Sequence, residues 1–324
     1  MRLSHPRAAL VGTLAITALA LAGCSSAAPA ASTKGVSIVA STNVYGSIAE
    51  SIGGDLVTVK SLITSSAQDP HSFEASAQDQ LALSKADLVI ENGGGYDPFV
   101  DTLLKAASSK APVVNASEAS GLLEAAEHDD DATSTEAPST GSDGDDHDHV
   151  EGFNEHVFYS FEGVEKVAEA IADKLSGLDK ANASTYEANL ETFSTKLEAL
   201  ESTADALKPR TAGLGVAITE PVPLYLLEEA GFTNRTPSEF SEAIEEGTDV
   251  PPAVLADTLA LFSSGSVAML AYNSQTSSPE TERVRSAAEA AGIPVVGFTE
   301  TLPDGADYLS WMTDNLSAIS AVVK

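Results

Sequence analysis

The chain has a single cysteine, Cys24, in 324 residues. No intrachain disulfide can form, and metal sites built from several thiolates are excluded. Positive charge is also scarce: 17 Lys and Arg stand against 48 Asp and Glu, for a formal net charge of −31. That balance argues against nucleic acid and against an anionic bilayer surface as partners. It is compatible with attraction of cations, although solubility outside the cell accounts for it equally well. There is no His-Glu-x-x-His helix and no Gly-x-Ser-x-Gly elbow, the usual marks of zinc proteases and serine hydrolases. Histidine itself is rare, with only His5, His71, His128, His147, His149 and His156.

The N-terminus reads as a targeting segment. Arg2 and Arg7 precede an apolar stretch over 8–23, which is shorter than the roughly 20 residues a membrane span needs. It ends in Leu21-Ala22-Gly23-Cys24, which resembles a bacterial lipobox with Cys24 as the lipidated residue. Residues 1–23 are therefore expected to be a lipoprotein signal peptide, and 24–34, rich in Ser, Ala and Pro, a flexible tether. Loss of Arg2 and Arg7 with the leader would take the formal charge from −31 to −33. A lipid anchor places the folded part outside the cytoplasm, held at the cell membrane.

Beyond the tether, short β-rich runs alternate with amphipathic segments. Strands are expected near 36–40, 56–63, 88–90 and 112–115, with helices over 44–52, 75–84 and 97–107. This rhythm predicts an α/β fold with a parallel sheet. From 124 to 151 the pattern collapses into Asp, Ser, Gly and Thr, with no Lys or Arg anywhere from 111 to 165. Such a tract reads as a loop, either a plain solvated linker or a weak cation collector through His128, His147 and His149. Tyr186, Leu190, Phe193, Leu197, Leu200, Ala204 and Leu207 then follow at spacings of 4, 3, 4, 3, 4 and 3. One helix over 181–207, about 40 Å long, is expected. A coiled-coil dimer and a helix spanning two lobes both fit that stripe. A second α/β run completes the chain. The expected plan is an N-terminal lobe over 35–180, carrying the acidic loop 124–151, a connecting helix over 181–208 and a C-terminal lobe over 209–324.

His5 falls in the leader and three histidines fall in the acidic tract, so His71 and His156 are the two in sequence able to fold. Isolated imidazoles in an acidic, nearly cysteine-free chain point to a metal site of nitrogen and oxygen ligands. Glu220 and Glu300 each follow a predicted strand, at 214–218 and 295–298. Carboxylates at the C-terminal edge of parallel strands face the crevice where α/β proteins bind ligands. The acidic run over 239–249 is expected to be solvated, as charge runs usually are.

Four segments resemble the zinc/manganese-type (cluster A-I) metal-binding lipoproteins of bacterial ABC importers. They are Asp69-Pro-His-Ser-Phe-Glu, with Ser84-Lys-Ala-Asp-Leu-Val-Ile-Glu-Asn-Gly after it; Asn154-Glu-His-Val-Phe-Tyr; Thr219-Glu-Pro-Val-Pro-Leu-Tyr; and Thr299-Glu-Thr-Leu-Pro with Asp307-Tyr-Leu-Ser-Trp-Met. The likeness runs in order over 36–324. It implies two α/β lobes joined by one long rigid helix, with metal in the cleft between them on His71, His156, Glu220 and Glu300. It also implies a non-enzymatic monomer that delivers its ion to a membrane permease driven by a cytoplasmic ATPase. Glu220 stands where zinc-type members more often have His, Glu300 where many have Asp, and Glu155 where the family has Pro. Two imidazoles with two carboxylates suit manganese as well as zinc; the His-bearing acidic tract tips the expectation to Zn2+, with Mn2+ the alternative. A metallohydrolase and an adhesin-like surface lipoprotein are the competing readings.

Overall fold

Two runs of short apolar strands each close into a parallel sheet of the same topology in this computed structural model, which describes residues 35–130 and 152–323. In the first, β1 (Val36–Thr42), β2 (Val57–Ile63), β3 (Leu88–Glu91) and β4 (Val113–Asn115) lie in the order β2-β1-β3-β4. Register is set by apolar pairs such as Ile38 with Val59 on one side and with Leu88 on the other. Helices α1 (Asn43–Gly53), α2 (Ala77–Leu83) and α3 (Phe99–Ala107) make the crossovers, and α4 (Ala116–Ser120) and α5 (Leu122–Asp130) follow β4.

After α6 (Phe161–Leu178), α7 (Ala183–Asp205) and the short α8 (Lys208–Thr211), the second sheet repeats the plan. Strands β5 (Gly215–Ile218), β6 (Thr233–Asn234), β7 (Met269–Asn273) and β8 (Val295–Phe298) lie in the order β6-β5-β7-β8. Around them pack α9 (Leu224–Glu229), α10 (Ser238–Glu245), α11 (Pro252–Ser264), α12 (Pro279–Ala290) and α13 (Tyr308–Val322). Each sheet reverses its winding direction at its centre, between β1 and β3 and between β5 and β7. Loops leaving the carboxyl ends there diverge and open a crevice, the usual ligand site of doubly wound sheets.

The expected long helix is α7, 23 residues or about 35 Å. Its stripe of Tyr186, Phe193, Leu197, Leu200 and Ala204 is buried, with Leu190 half-buried. These side chains share one continuous core with Val44 and Ile48 of α1, Val164 and Ile171 of α6, Leu226 of α9 and Trp311 and Ile319 of α13. The stripe is therefore consumed between the two sheets, which decides for the spanning helix over a coiled-coil seam. A core shared by both lobes resists hinge opening, because separating them would expose it.

Two expectations change. The run at 239–249 is not all solvated loop: 238–245 form α10, with Phe240 and Ala243 buried and Ile244 half-buried. A single apolar face is enough to anchor it against the second core. The acidic tract begins as helix, since α5 runs to Asp130. Cys24, His147 and His149 lie outside the described residues, and of His128 only the backbone, within α5, is described. No helix among the described residues is long and apolar enough to cross a membrane.

Candidate metal centre

His71, Glu220 and Glu300 sit on loops that leave the carboxyl ends of strands, His156 on the segment that leads into α6, and each is pinned by its own hydrogen bonds. His71 lies between β2 and α2. Asp69 accepts from the His71 N–H (2.9 Å) and from the Ser72 hydroxyl (2.9 Å), a local turn that holds the backbone carrying the imidazole. The ring meets Tyr96 edge-on at 5.0 Å between centroids. Tyr96 follows the turn after β3, where Gly93 has φ +71 and a Cβ would fall 2.2 Å from Asn115 Nδ2. Only glycine fits there. Asp97 accepts from the backbone N–H groups of Asn92 (2.7 Å) and Gly93 (2.8 Å), which locks the turn.

His156 precedes α6. Asn154 Nδ2 donates to the Pro221 carbonyl (3.1 Å), so its Oδ1 faces the imidazole, where it lies 2.9 Å from Nδ1 and accepts from the His156 N–H (3.1 Å). Nδ1 must then carry the ring proton, leaving the Nε2 lone pair directed into the crevice. Nε2 has no hydrogen-bond partner among the described residues. It faces Glu300 Oε2 at 3.8 Å, and that oxygen is likewise without a hydrogen bond. Both residues are only 1% exposed.

Glu300 follows β8. Gln275 Oε1 accepts from the N–H of Glu300 (2.7 Å) and from the N–H and hydroxyl of Thr301 (2.9 Å each), so one amide holds the loop. Glu220 follows β5. Asn273, at the end of β7, donates through Nδ2 to Glu300 Oε1 and Glu220 Oε2, at 2.8 Å each. The Thr276 hydroxyl donates to Glu220 Oε1.

His71, His156 and Glu300 each bring one donor atom to within 4.8 Å of the others. Glu220 stands outside that group, engaged by Asn273 and Thr276. A second set, His71, Glu155 and Glu245, is equally close. Glu155 is buried, and Glu245 Oε1 approaches His156 Nδ1 at 3.6 Å. Zinc binds nitrogen and oxygen ligands at about 2.0–2.2 Å, so two ligands of one ion stand up to about 4 Å apart. A 3.8 Å gap between an imidazole nitrogen and a carboxylate oxygen is too wide for a hydrogen bond and suits an ion between them.

Electrostatics point the same way. Burial pushes the Glu220 carboxyl up, aided by Glu300, to about 7. Burial likewise drives Glu245 well above the usual carboxylate range, reinforced by Glu155, Glu220 and Glu300. Burial alone would lower His156, but the carboxylates of Glu300, Glu155 and Glu220 outweigh it and hold the imidazole above its ordinary value. For Glu300 burial opposes ionisation, yet His156 and His71 hold it below the ordinary value. At His71 burial prevails and lowers the imidazole. Four carboxylates crowded around two imidazoles favour any divalent cation that can neutralise them.

Asn273, Gln275 and Thr276 were not among the residues expected at the site. Their signal was present, since a polar Asn-Ser-Gln-Thr run directly after a buried strand at a switch point marks a crevice. Glu245 had no such signal among Glu239, Glu242 and Glu246.

Residues 38–322 match the family model described as zinc-uptake complex component A, periplasmic (ZnuA). The manganese-binding lipoprotein MntA of Halalkalibacterium halodurans is 28% identical over 176 residues, 54% of this chain and 51% of its own. The chain spans about half the length of the curated relatives it matches. Among solved structures, FpvC from Pseudomonas aeruginosa in complex with Mn2+ matches with a TM-score of 0.66 and 24% identity, covering 90% of this chain and 98% of that one. A crystal structure of ZnuA matches with a TM-score of 0.67 and 21% identity, covering 90% and 100%. At these identities the structures establish the shared fold. The matched span, 38–322, takes in both sheets and the segments that carry both histidines and both strand-edge acids, and the chain belongs to the zinc-uptake complex component A family of periplasmic proteins.

Proposed function

We propose that this chain captures a divalent transition metal outside the cytoplasm, Zn2+ in preference, and delivers it to an ABC permease and its ATPase. The observation that carries the reading is the pair of buried, facing atoms His156 Nε2 and Glu300 Oε2, 3.8 Å apart with His71 alongside. His71, His156 and Glu300 supply three ligands, and Glu220 becomes the fourth by leaving Thr276. The function is binding without turnover. The protein acts as a monomer, tethered by 24–34 and lipidated at Cys24 after loss of 1–23. The core shared through α7 favours nearly fixed lobes, so release proceeds by local movement of the His71 loop, the most exposed of the ligand segments. Mn2+ remains the second reading, favoured by the two carboxylates among the ligands, since oxygen donors suit manganese.

Competitive titration of the metal-free protein lacking residues 1–24 with Zn2+ and Mn2+, beside His71→Ala and Glu300→Gln, tests this. One tight zinc site is expected, weakened in each variant by more than the roughly 10–100-fold typical of outer-shell partners. Tight binding that survives both substitutions would move the site to the tract at 124–151 with His128, His147 and His149. Manganese that zinc fails to displace would establish the second reading. Ligands must be deprotonated, so affinity falls as pH drops. Because His156 is held above its ordinary value, the fall should begin above the usual histidine range.

A further inference from the structure

The crevice contains more donors than one four-coordinate ion can use. His71 belongs to two sets, one with His156 and Glu300, the other with Glu155 and Glu245. Of the residues the two sets do not share, Glu245 lies nearest solvent. Its side chain keeps 9% exposure, against 1% for His156 and Glu300 and 2% for Glu155, while the shared His71 is half-buried. The sets also differ in chemistry. The first has two imidazoles and one carboxylate, the second one imidazole and two carboxylates. Glu245 is nine-tenths buried at the end of α10, and its Oε1 makes no hydrogen bond among the described residues. The nearest partner, His156 Nδ1 at 3.6 Å, is already engaged by Asn154 at 2.9 Å. An acid held in this way, with an oxygen turned toward His71 and Glu155, is placed to hold a cation.

We propose that Glu155, Glu245 and His71 form an outer cation position, where a divalent transition metal is first held before passing to the inner set. His71 stays bound while Glu155 and Glu245 are exchanged for His156 and Glu300. The step is ligand exchange alone, with no covalent or redox change. Oxygen ligands hold a borderline ion such as Zn2+ less firmly than imidazoles do, so the outer position fills and empties faster and the ion runs inward to the nitrogen-richer set. Glu245 is then a gate in the kinetic sense, and α10, which carries it, is part of the metal path. The inference rests on the inner set being the final site.

The test is stopped-flow loading of the metal-free protein with Zn2+ and its release to a fluorescent zinc chelator, with equilibrium affinity measured alongside. The variants are Glu245→Gln, Glu155→Gln and Glu300→Gln, with Glu246→Gln as a control for simple loss of charge beside the site. Glu245→Gln and Glu155→Gln are expected to slow loading and release together by about tenfold, the lower end of the range for field effects on capture. Glu300→Gln should instead raise the equilibrium dissociation constant, chiefly through faster release. Glu246→Gln, which removes an exposed neighbouring charge, should behave as the parent. Parental rates in Glu245→Gln overturn the outer position, as does slowing matched by Glu246→Gln, which reports charge alone. A loss of affinity in Glu245→Gln equal to that in Glu300→Gln makes Glu245 an ordinary ligand of a single site and also overturns it. If Glu300→Gln keeps parental affinity while Glu245→Gln abolishes binding, the inner assignment has failed and the hand-over with it.

Discussion

Replacing Glu220 by Gln should make the metal-free protein more stable at pH 8, although it removes a proposed ligand. Burial and the neighbouring Glu300 raise the Glu220 carboxyl from 4.5 to about 7. An acid whose folded pKa lies above its unfolded value holds its proton more tightly in the fold. Its cost to stability is absent below about 4.5 and complete above about 7. At about 1.4 kcal/mol per pH unit, ionisation in the fold costs ~3 kcal/mol at pH 8 and under about 1 kcal/mol at pH 5. Gln keeps the geometry: its oxygen accepts from Asn273 and its amide donates to the Thr276 hydroxyl, while no charge is buried. A gain of ~3 kcal/mol corresponds to roughly 6 °C in Tm for a chain of this size. Calorimetry of both proteins in chelator at pH 5 and pH 8 measures it. Parent stability should fall between the two pH values, and the variant's should fall less. Zn2+ at pH 8 should reverse the order, because only the parent has the carboxylate to neutralise. A variant no more stable than the parent at pH 8, or parent stability rising from pH 5 to 8 without metal, would refute the reasoning.

Asn273→Ala should shift selectivity toward manganese. Asn273 Nδ2 occupies one oxygen of Glu300 and one of Glu220, which restricts Glu300 to one free oxygen. Freeing those oxygens favours the ion that prefers more oxygen ligands, so the ratio of zinc to manganese affinity should drop about tenfold in competitive titration. An unchanged ratio would show that Asn273 serves packing alone. Asp307→Ala should lower Tm by about 2 °C, or ~1 kcal/mol, without changing metal affinity. Asp307 Oδ1 accepts from Ser310 N–H (2.7 Å) while the Ser310 hydroxyl accepts from Asp307 N–H (3.0 Å), a reciprocal cap on α13. The Ser310 backbone N–H holds the Asp307 carboxyl below its ordinary value. Its stabilisation is therefore present above the unfolded carboxylate range and lost as pH falls through the lower folded value.

The sequence by itself determined the parallel α/β plan of both lobes and the long helix, and it singled out the four strand-edge or loop residues proposed as ligands, but α10 and the helical start of the acidic tract were not legible in it. Periodicity is a local property, and the 4-3 stripe through Phe193 and Leu197 admits only a helix. His71 and His156 were found by elimination, as the two imidazoles outside leader and acidic tract. Glu220 and Glu300 were found because a parallel strand delivers its last side chains to a crevice. Only the tertiary structure decided what the stripe packs against, because a coiled coil and a two-lobe core use the same pattern. Only it turned Glu245 inward from a run of acids that look alike in sequence. Only it showed that one amide, Asn273, restrains two acids 53 and 27 residues away in the chain. Such contacts are set by where the ends of separate strands converge, and no spacing along the chain encodes that.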